Sequence, residues 1–143
     1  MECKSCASLS GAQRISPGPP IYKGRYWTLE HAYPTRLMGW LVLVLNRHAT
    51  ALHELTVEEF TEFHLLIPQI ITLLQIKFSS TKEYILCLAE KEGFEHVHVH
   101  FIPRAADLPD EFKGTKIFGL MGEDGRIPEV ELAALCEELQ ELF

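Results

Sequence analysis

The run Glu95-His96-Val97-His98-Val99-His100-Phe101-Ile102 decides how this chain is read. Successive residues of a β-strand point to opposite faces. As a strand, the run places His96, His98 and His100 on one face and Val97, Val99 and Phe101 on the other, core-like face. Each imidazole brings two ring nitrogens that need partners once buried. Three of them on one side of an otherwise apolar strand therefore point to chemistry more than to packing. Two chemistries use such a row. One is a tri-histidine metal site with an open fourth position, as in zinc hydrolases. The other is nucleophilic catalysis, in which a neutral imidazole attacks phosphorus and becomes a phosphoramidate. Histidines two residues apart on a strand lie about 6.5–7 Å apart along it. That spacing suits a polyphosphate chain better than a single ion, around which the middle ring would be crowded.

Outward from this run, residues 83–88 (EYILCL) read as a preceding strand, joined to residues 95–102 through residues 89–94. Upstream, Thr56-Val57-Glu58-Glu59 has the form of a capping box, in which the Thr56 hydroxyl and the Glu59 carboxylate satisfy each other's amides. The helix it opens carries Phe60, Phe63, Leu66, Ile70, Leu73 and Leu74 near a 3.6-residue period. Pro68 lies inside it, so a kink or break is expected there. Residues 40–45 (WLVLVL) read as a buried strand, and residues 25–31 (RYWTLEH) as another. Residues 1–24 are rich in turn formers and read as an irregular arm. A last helix is expected over residues 128–142, with Val130, Leu132, Leu135 and Leu139 on its apolar side. The short links between paired strands favour a mostly antiparallel α+β sheet, since parallel neighbours need long crossovers.

The 143 residues make a single domain, 1–143, large enough to bury a core, and the 47% hydrophobic share is that of an ordinary globular chain. The net charge of −7 offers no basic footprint for nucleic acid, though a local site can still hold a small anion. The start, Met1-Glu2-Cys3-Lys4-Ser5-Cys6, has no apolar core of a secretory signal, and the run 40–45 is too short to span a bilayer. No membrane partner is expected, and the cytoplasm is the expected compartment. Among the four cysteines, Cys3 and Cys6 form a close pair of the kind that binds metal or does redox chemistry in a reducing compartment, with no second pair at zinc-finger spacing. Cys87, between Leu86 and Leu88, and Cys136, on the last helix, read as buried structural thiols.

The stretch HVHVHFI resembles the signature of the histidine-triad family, His-φ-His-φ-His-φ-φ with φ apolar, at every position, and is followed by the Pro103-Arg104 common there. Residues 39–48 (GWLVLVLNRH) are similar to that family's preceding strand and its basic-His turn, so the resemblance covers roughly residues 20–104. It implies a five-stranded, mostly antiparallel sheet with two helices, a homodimer joined through its sheets, and a nucleotide hydrolase or nucleotidyl transferase. Such an enzyme cleaves at the α-phosphate through a covalent nucleotidyl-histidine, in nucleoside phosphoramidates or dinucleoside polyphosphates. Carried over, His98 is the nucleophile, His100 contacts phosphate oxygens and His96 supports the site. Gly93 is what remains of a phosphate-binding loop, and Glu30 is the candidate for a ribose-binding carboxylate. Some members, like the related galactose-1-phosphate uridylyltransferases, bind structural zinc. That implies Cys3, Cys6, His48 and His96 as a closed Cys₂His₂ set, with His53 the alternate third ligand.

The chain departs from the family at residues 90–95 (EKEGFE), which are acidic where many members have Asn and a Gly-Gln-Ser/Thr loop. Carboxylates there would disfavour highly charged polyphosphates. Two rivals stand beside the nucleotidyl-histidine reading: a tri-histidine zinc hydrolase, and a non-catalytic nucleotide-binding or scaffold protein of the same fold.

Overall fold

Alternation in three strands builds the core. The computed structural model describes residues 2–143. Strands β1 (Tyr22–Lys23), β2 (Trp27–His31), β3 (Leu41–Leu45), β4 (Ser80–Leu86) and β5 (His98–Ala105) form one sheet, ordered β1-β2-β3-β5-β4. Every neighbouring pair is antiparallel. The register sets Trp27 opposite Leu45, Leu29 opposite Leu43, and Leu43 in turn opposite Val99. These side chains face one way and are buried against Leu66, Ile70, Leu73 and Leu74 of helix α2 (Val57–Phe78). Burying each large apolar side chain contributes about 1.5–3 kcal/mol. The other face carries Thr28, Glu30, Val42 and Val44, in register with His98 and His100.

Helix α2 begins at the expected capping box. The Glu59 amide donates to Thr56 Oγ1 at 3.2 Å and the Thr56 amide to Glu59 Oε1 at 2.8 Å. Buried Glu59 also takes a two-pronged ion pair from Arg47, at 2.9 and 3.2 Å, tying the helix start to the turn after β3. One turn on, the Glu62 carboxylate accepts the main-chain N–H groups of Arg25, Tyr26 and Trp27, which anchors the β1–β2 turn to the helix. The expected break at Pro68 does not occur, and the helix runs through it uninterrupted. Pro68 and His64 are both exposed, so the carbonyl that loses its partner faces solvent instead of the core.

The arm is not wholly irregular. Residues Lys4–Ser10 form a helix, α1, with Cys3 as its N-cap: the Cys6 amide donates to Cys3 Sγ at 3.3 Å. The described residues thus hold three α-helices where two were expected, the last being α3 (Glu129–Leu142). Helix α3 buries Leu132, Leu135, Cys136 and Leu139 but leaves Val130 in solvent, off the expected apolar side. Cys87 lies one residue beyond β4 and is half-buried, not the buried mid-strand thiol expected.

The strand read over residues 95–102 starts at His98 and runs on to Ala105, while the one read over residues 83–88 is Ser80–Leu86. The physical reason is local. Val97 bonds Ala49 through its amide and Leu45 through its carbonyl, so the chain at His96 follows the turn after β3 before pairing regularly. Beyond Phe101 only β4 continues alongside β5, so Pro103 sits where the strand is locally an edge. Residues 106–127 add two 3₁₀ turns, Asp110–Phe112 and Gly114–Leu120. From the second, Ile117 and Leu120 pack with Ala32, Trp40 and Ile102 in a smaller cluster on the histidine face. Among the described residues no helix is long and apolar enough to cross a membrane.

Candidate functional site

Three separate segments bring four metal-ligating side chains together. One turn of α1 presents Cys3 and Cys6 side by side, the turn after β3 presents His48, and the bend before β5 presents His96. The His48 and His96 Nδ1 atoms are 3.1 Å apart, and Cys3 Sγ lies 3.4 Å from His96 Nδ1. Cys6 Sγ lies 3.5 Å from both imidazole Nδ1 atoms. A tetrahedron with bonds of about 2.05 Å to nitrogen and 2.3 Å to sulfur has N···N and N···S edges of about 3.3 and 3.6 Å. The set therefore fits a four-coordinate ion of zinc's size. His96 Nε2–H donates to the Leu45 carbonyl at 2.6 Å, which leaves the Nδ1 lone pair for the ion. Burial, and then the neighbouring Cys3, pushes the Cys6 thiol up to about 11, so at neutral pH a thiolate there needs a cation beside it. His53, in the 3₁₀ turn Leu52–Glu54, is exposed and stands outside the cluster.

The next two histidines are oppositely prepared. His98 Nδ1 lies 2.7 Å from the His96 carbonyl oxygen. A carbonyl only accepts, so Nδ1 carries the proton and a neutral His98 has its lone pair on Nε2. His100 Nδ1 accepts the indole N–H of Trp40 at 3.0 Å, so a neutral His100 has its proton on Nε2. Burial holds His98 below the ordinary imidazole range and pushes His100 down to about 4, so both are neutral at pH 7. Their rings meet edge to face with centroids 5.1 Å apart. One ring thus offers a lone pair and its neighbour an N–H on the same face of the sheet.

His96 does not join them as a third reacting ring. Both of its nitrogens are committed, one to the Cys/His cluster and one to Leu45. It has none left for an ion shared with His98 and His100, which removes the tri-histidine metal centre. What it gives His98 is its main-chain carbonyl.

Glu30 lies on the same face two strands over, opposite Val42, which is itself opposite His100. It is buried with Oε1 2.6 Å from Arg14 Nη2, and Arg14 also donates to the Gly18 carbonyl at 2.8 Å. Gly93 sits in the turn before His96 at φ +84°, where its carbonyl accepts the Lys4 amide at 2.8 Å. Its position docks α1. In the same loop Glu90, Glu92 and Glu95 are exposed, while Lys4 and Lys91 each lie 5.5 Å from the Phe94 ring centre.

Sequence reasoning missed Trp40 and Phe118. In the sequence Trp40 is only the start of an apolar strand, and nothing there marks its indole N–H as aimed at His100. Phe118, edge to face on both Trp40 and His100 at 5.3 and 5.2 Å, comes from a segment with no periodic pattern.

No protein-family model and no curated protein matches the chain. Solved structures do. A Hit-like protein from Bartonella henselae, described as involved in cell-cycle regulation, superposes with a TM-score of 0.70 at 11% identity, covering 96% of this chain and 93% of that one. A Zn-bound histidine triad family protein from Mycobacterium smegmatis gives 0.62 at 18% identity, covering 99% and 97%. The diadenosine triphosphate hydrolase of Plasmodium falciparum gives 0.65 at 16% identity, covering 85% and 74%. With the sheet order, the long crossing helix and the placement of its three alternating histidines, this chain has the histidine-triad fold.

Proposed function

We propose that the protein is a nucleotide hydrolase or nucleotidyl transferase that cleaves at the α-phosphate through a nucleotidyl group on His98. The observation that carries this reading is the opposed protonation of His98 and His100 on one face of the sheet. The Nε2 lone pair of His98 forms a bond to phosphorus as the bond to the leaving group breaks. The leaving group departs with that electron pair and takes a proton from solvent. Positive charge then developing on the His98 ring faces the His96 carbonyl through Nδ1–H, while His100 Nε2–H bonds a phosphoryl oxygen. Water next attacks phosphorus, the P–N bond breaks, and His98 returns neutral with release of a nucleoside monophosphate and a proton.

Cys3, Cys6, His48 and His96 would hold zinc, as the Mycobacterium smegmatis structure does its own metal, and a closed four-ligand ion supplies structural cross-linking. In this reading the Cys/His cluster pins α1 and steadies His96, whose carbonyl orients His98. Glu30, on the same face, is our candidate for the ribose hydroxyls. We read the chain as a cytoplasmic homodimer; exposed Ile85 on the edge strand β4 and Leu88 just beyond it suit burial against a second copy.

The test is turnover of a fluorogenic adenosine phosphoramidate, with alkaline quenching and mass spectrometry. An adenylyl group on His98, and a fall of at least about 10³-fold in His98→Ala, are expected. Full turnover by His98→Ala would remove the mechanism, and nucleotide binding without turnover in the native protein would leave a nucleotide-binding protein.

A further inference from the structure

Trp40 is fully buried, and so is the indole N–H it carries. That N–H is a donor only, and it meets His100 Nδ1 at 3.0 Å. The His100 ring is held on its other sides by edge-to-face contacts with Phe118 at 5.2 Å and with His98 at 5.1 Å. It is 8% exposed, too enclosed for its two nitrogens to exchange places freely. Most polar groups that could sit behind an imidazole, such as a hydroxyl, a carboxamide, a second histidine or water, can either donate or accept a hydrogen bond. An indole N–H can only donate.

We propose that Trp40 is a positioning residue for His100: its indole N–H, given to Nδ1, keeps the proton on Nε2 and makes His100 a hydrogen-bond donor toward the phosphoryl oxygen and nothing else. The proposal rests on the reading of His98 and His100 given under Proposed function, and it narrows the part His100 plays. With an indole behind it, His100 has no group from which to recover a proton. It therefore stabilises charge by hydrogen bonding and does not deliver a proton to the leaving group.

An indole N–H aimed at Nδ1 also opposes protonation there, because the imidazolium would set two N–H groups against each other. Around His100, β5 contributes His98 as a titratable neighbour. Val42 of β3, Leu86 of β4, Phe118 and Trp40 carry no ionisable group.

The experiment is ¹⁵N NMR of histidine-labelled protein in the resting state, together with kinetics on Trp40→Phe. In the native protein His100 should show a protonated Nε2 and an unprotonated, hydrogen-bonded Nδ1. In Trp40→Phe the Nδ1 signal should lose its hydrogen-bonded shift and His100 should titrate higher by up to about one pH unit, the worth of one neutral hydrogen bond, while burial still holds it below the ordinary imidazole value. kcat should fall roughly three- to tenfold, the worth of one neutral hydrogen bond, with a smaller change in KM. Loss of activity with an unchanged His100 spectrum and titration would overturn the proposal, since that is what packing damage alone would do. So would a native spectrum with the proton on Nδ1, which decides the matter even if Trp40→Phe does not fold. The resting spectrum is independent of turnover, so failure of the nucleotidyl-histidine mechanism in His98→Ala would be seen separately.

Discussion

Acid should unfold this protein through histidines that are neutral where they are buried. His31, 2% exposed, donates Nδ1–H to the Ala32 carbonyl at 2.7 Å and accepts the Gly39 amide on Nε2 at 2.9 Å. Neither nitrogen has room for a second proton, and burial pushes the ring from 6.5 down to about 4. His100 is likewise pushed from 6.5 down to about 4 by burial. In the unfolded chain both titrate near the ordinary value, so the stability they confer is complete above about pH 6.5 and lost as pH falls toward 4. At pH 5 the unfolded imidazole is about 97% protonated and the folded one about 10%, which removes about 2 kcal/mol per ring relative to pH 8. Two rings take about 4 kcal/mol from a total that is typically about 5–15 kcal/mol. Urea unfolding followed by circular dichroism between pH 8 and 5 measures this loss. Glu59, which Arg47 holds below its usual 4.5, begins to matter only below that window. His96 and His98 are shifted in the same direction as His31, but they are present in both proteins when the native chain is compared with His31→Gln. The variant's loss between pH 8 and 5 should be smaller by about 2 kcal/mol, the share of one ring. An unchanged pH dependence in His31→Gln would refute the reasoning, because His31 would then take its proton without unfolding the chain.

Two further outcomes test the site. Protein purified without chelator should carry about one zinc per chain, and Cys3→Ser with Cys6→Ser should lose it and melt at lower temperature; metal analysis finding no zinc in the native protein would refute the assignment. Comparison of kcat/KM should favour an adenosine phosphoramidate over a diadenosine polyphosphate, because exposed Glu90, Glu92 and Glu95 crowd negative charge into the loop before His96. The reverse preference would mean these carboxylates point away from the phosphate chain.

Much of the fold was readable because its cues are local. Period-2 alternation in residues 95–102, the Thr56/Glu59 box and the apolar rhythm from Phe60 to Leu74 each depend on neighbours within one turn or one strand. Boundaries set by distant partners were not readable. His96 leaves the strand because Val97 bonds Ala49 and Leu45, roughly fifty residues upstream, and no local pattern announces that. Helix α1 was missed because cysteine is not among the usual capping residues and its buried side chains are Ser5 and Ser8, not large apolar groups. Residues 106–127 carry no periodic pattern of their own, since their 3₁₀ turns draw order from packing on Trp40 and Ile102. The site divides the same way. The histidines stand out as a pattern, whereas Trp40 acquires its role only from the register that sets β3 beside β5.

The Cys3–His96 contact spans 93 positions of the chain. Helix α1 has seven residues, too few to persist on its own in water. Its place therefore depends on distant partners, the turn that carries His48 and the segment that carries Gly93 and His96, and closing loops of that length carries an entropic penalty. Its docking belongs at the end of folding, after the antiparallel pairs have formed. Until then the thiols of Cys3 and Cys6 remain open to solvent, the interval in which they are most exposed to oxidation or to capture by the wrong metal.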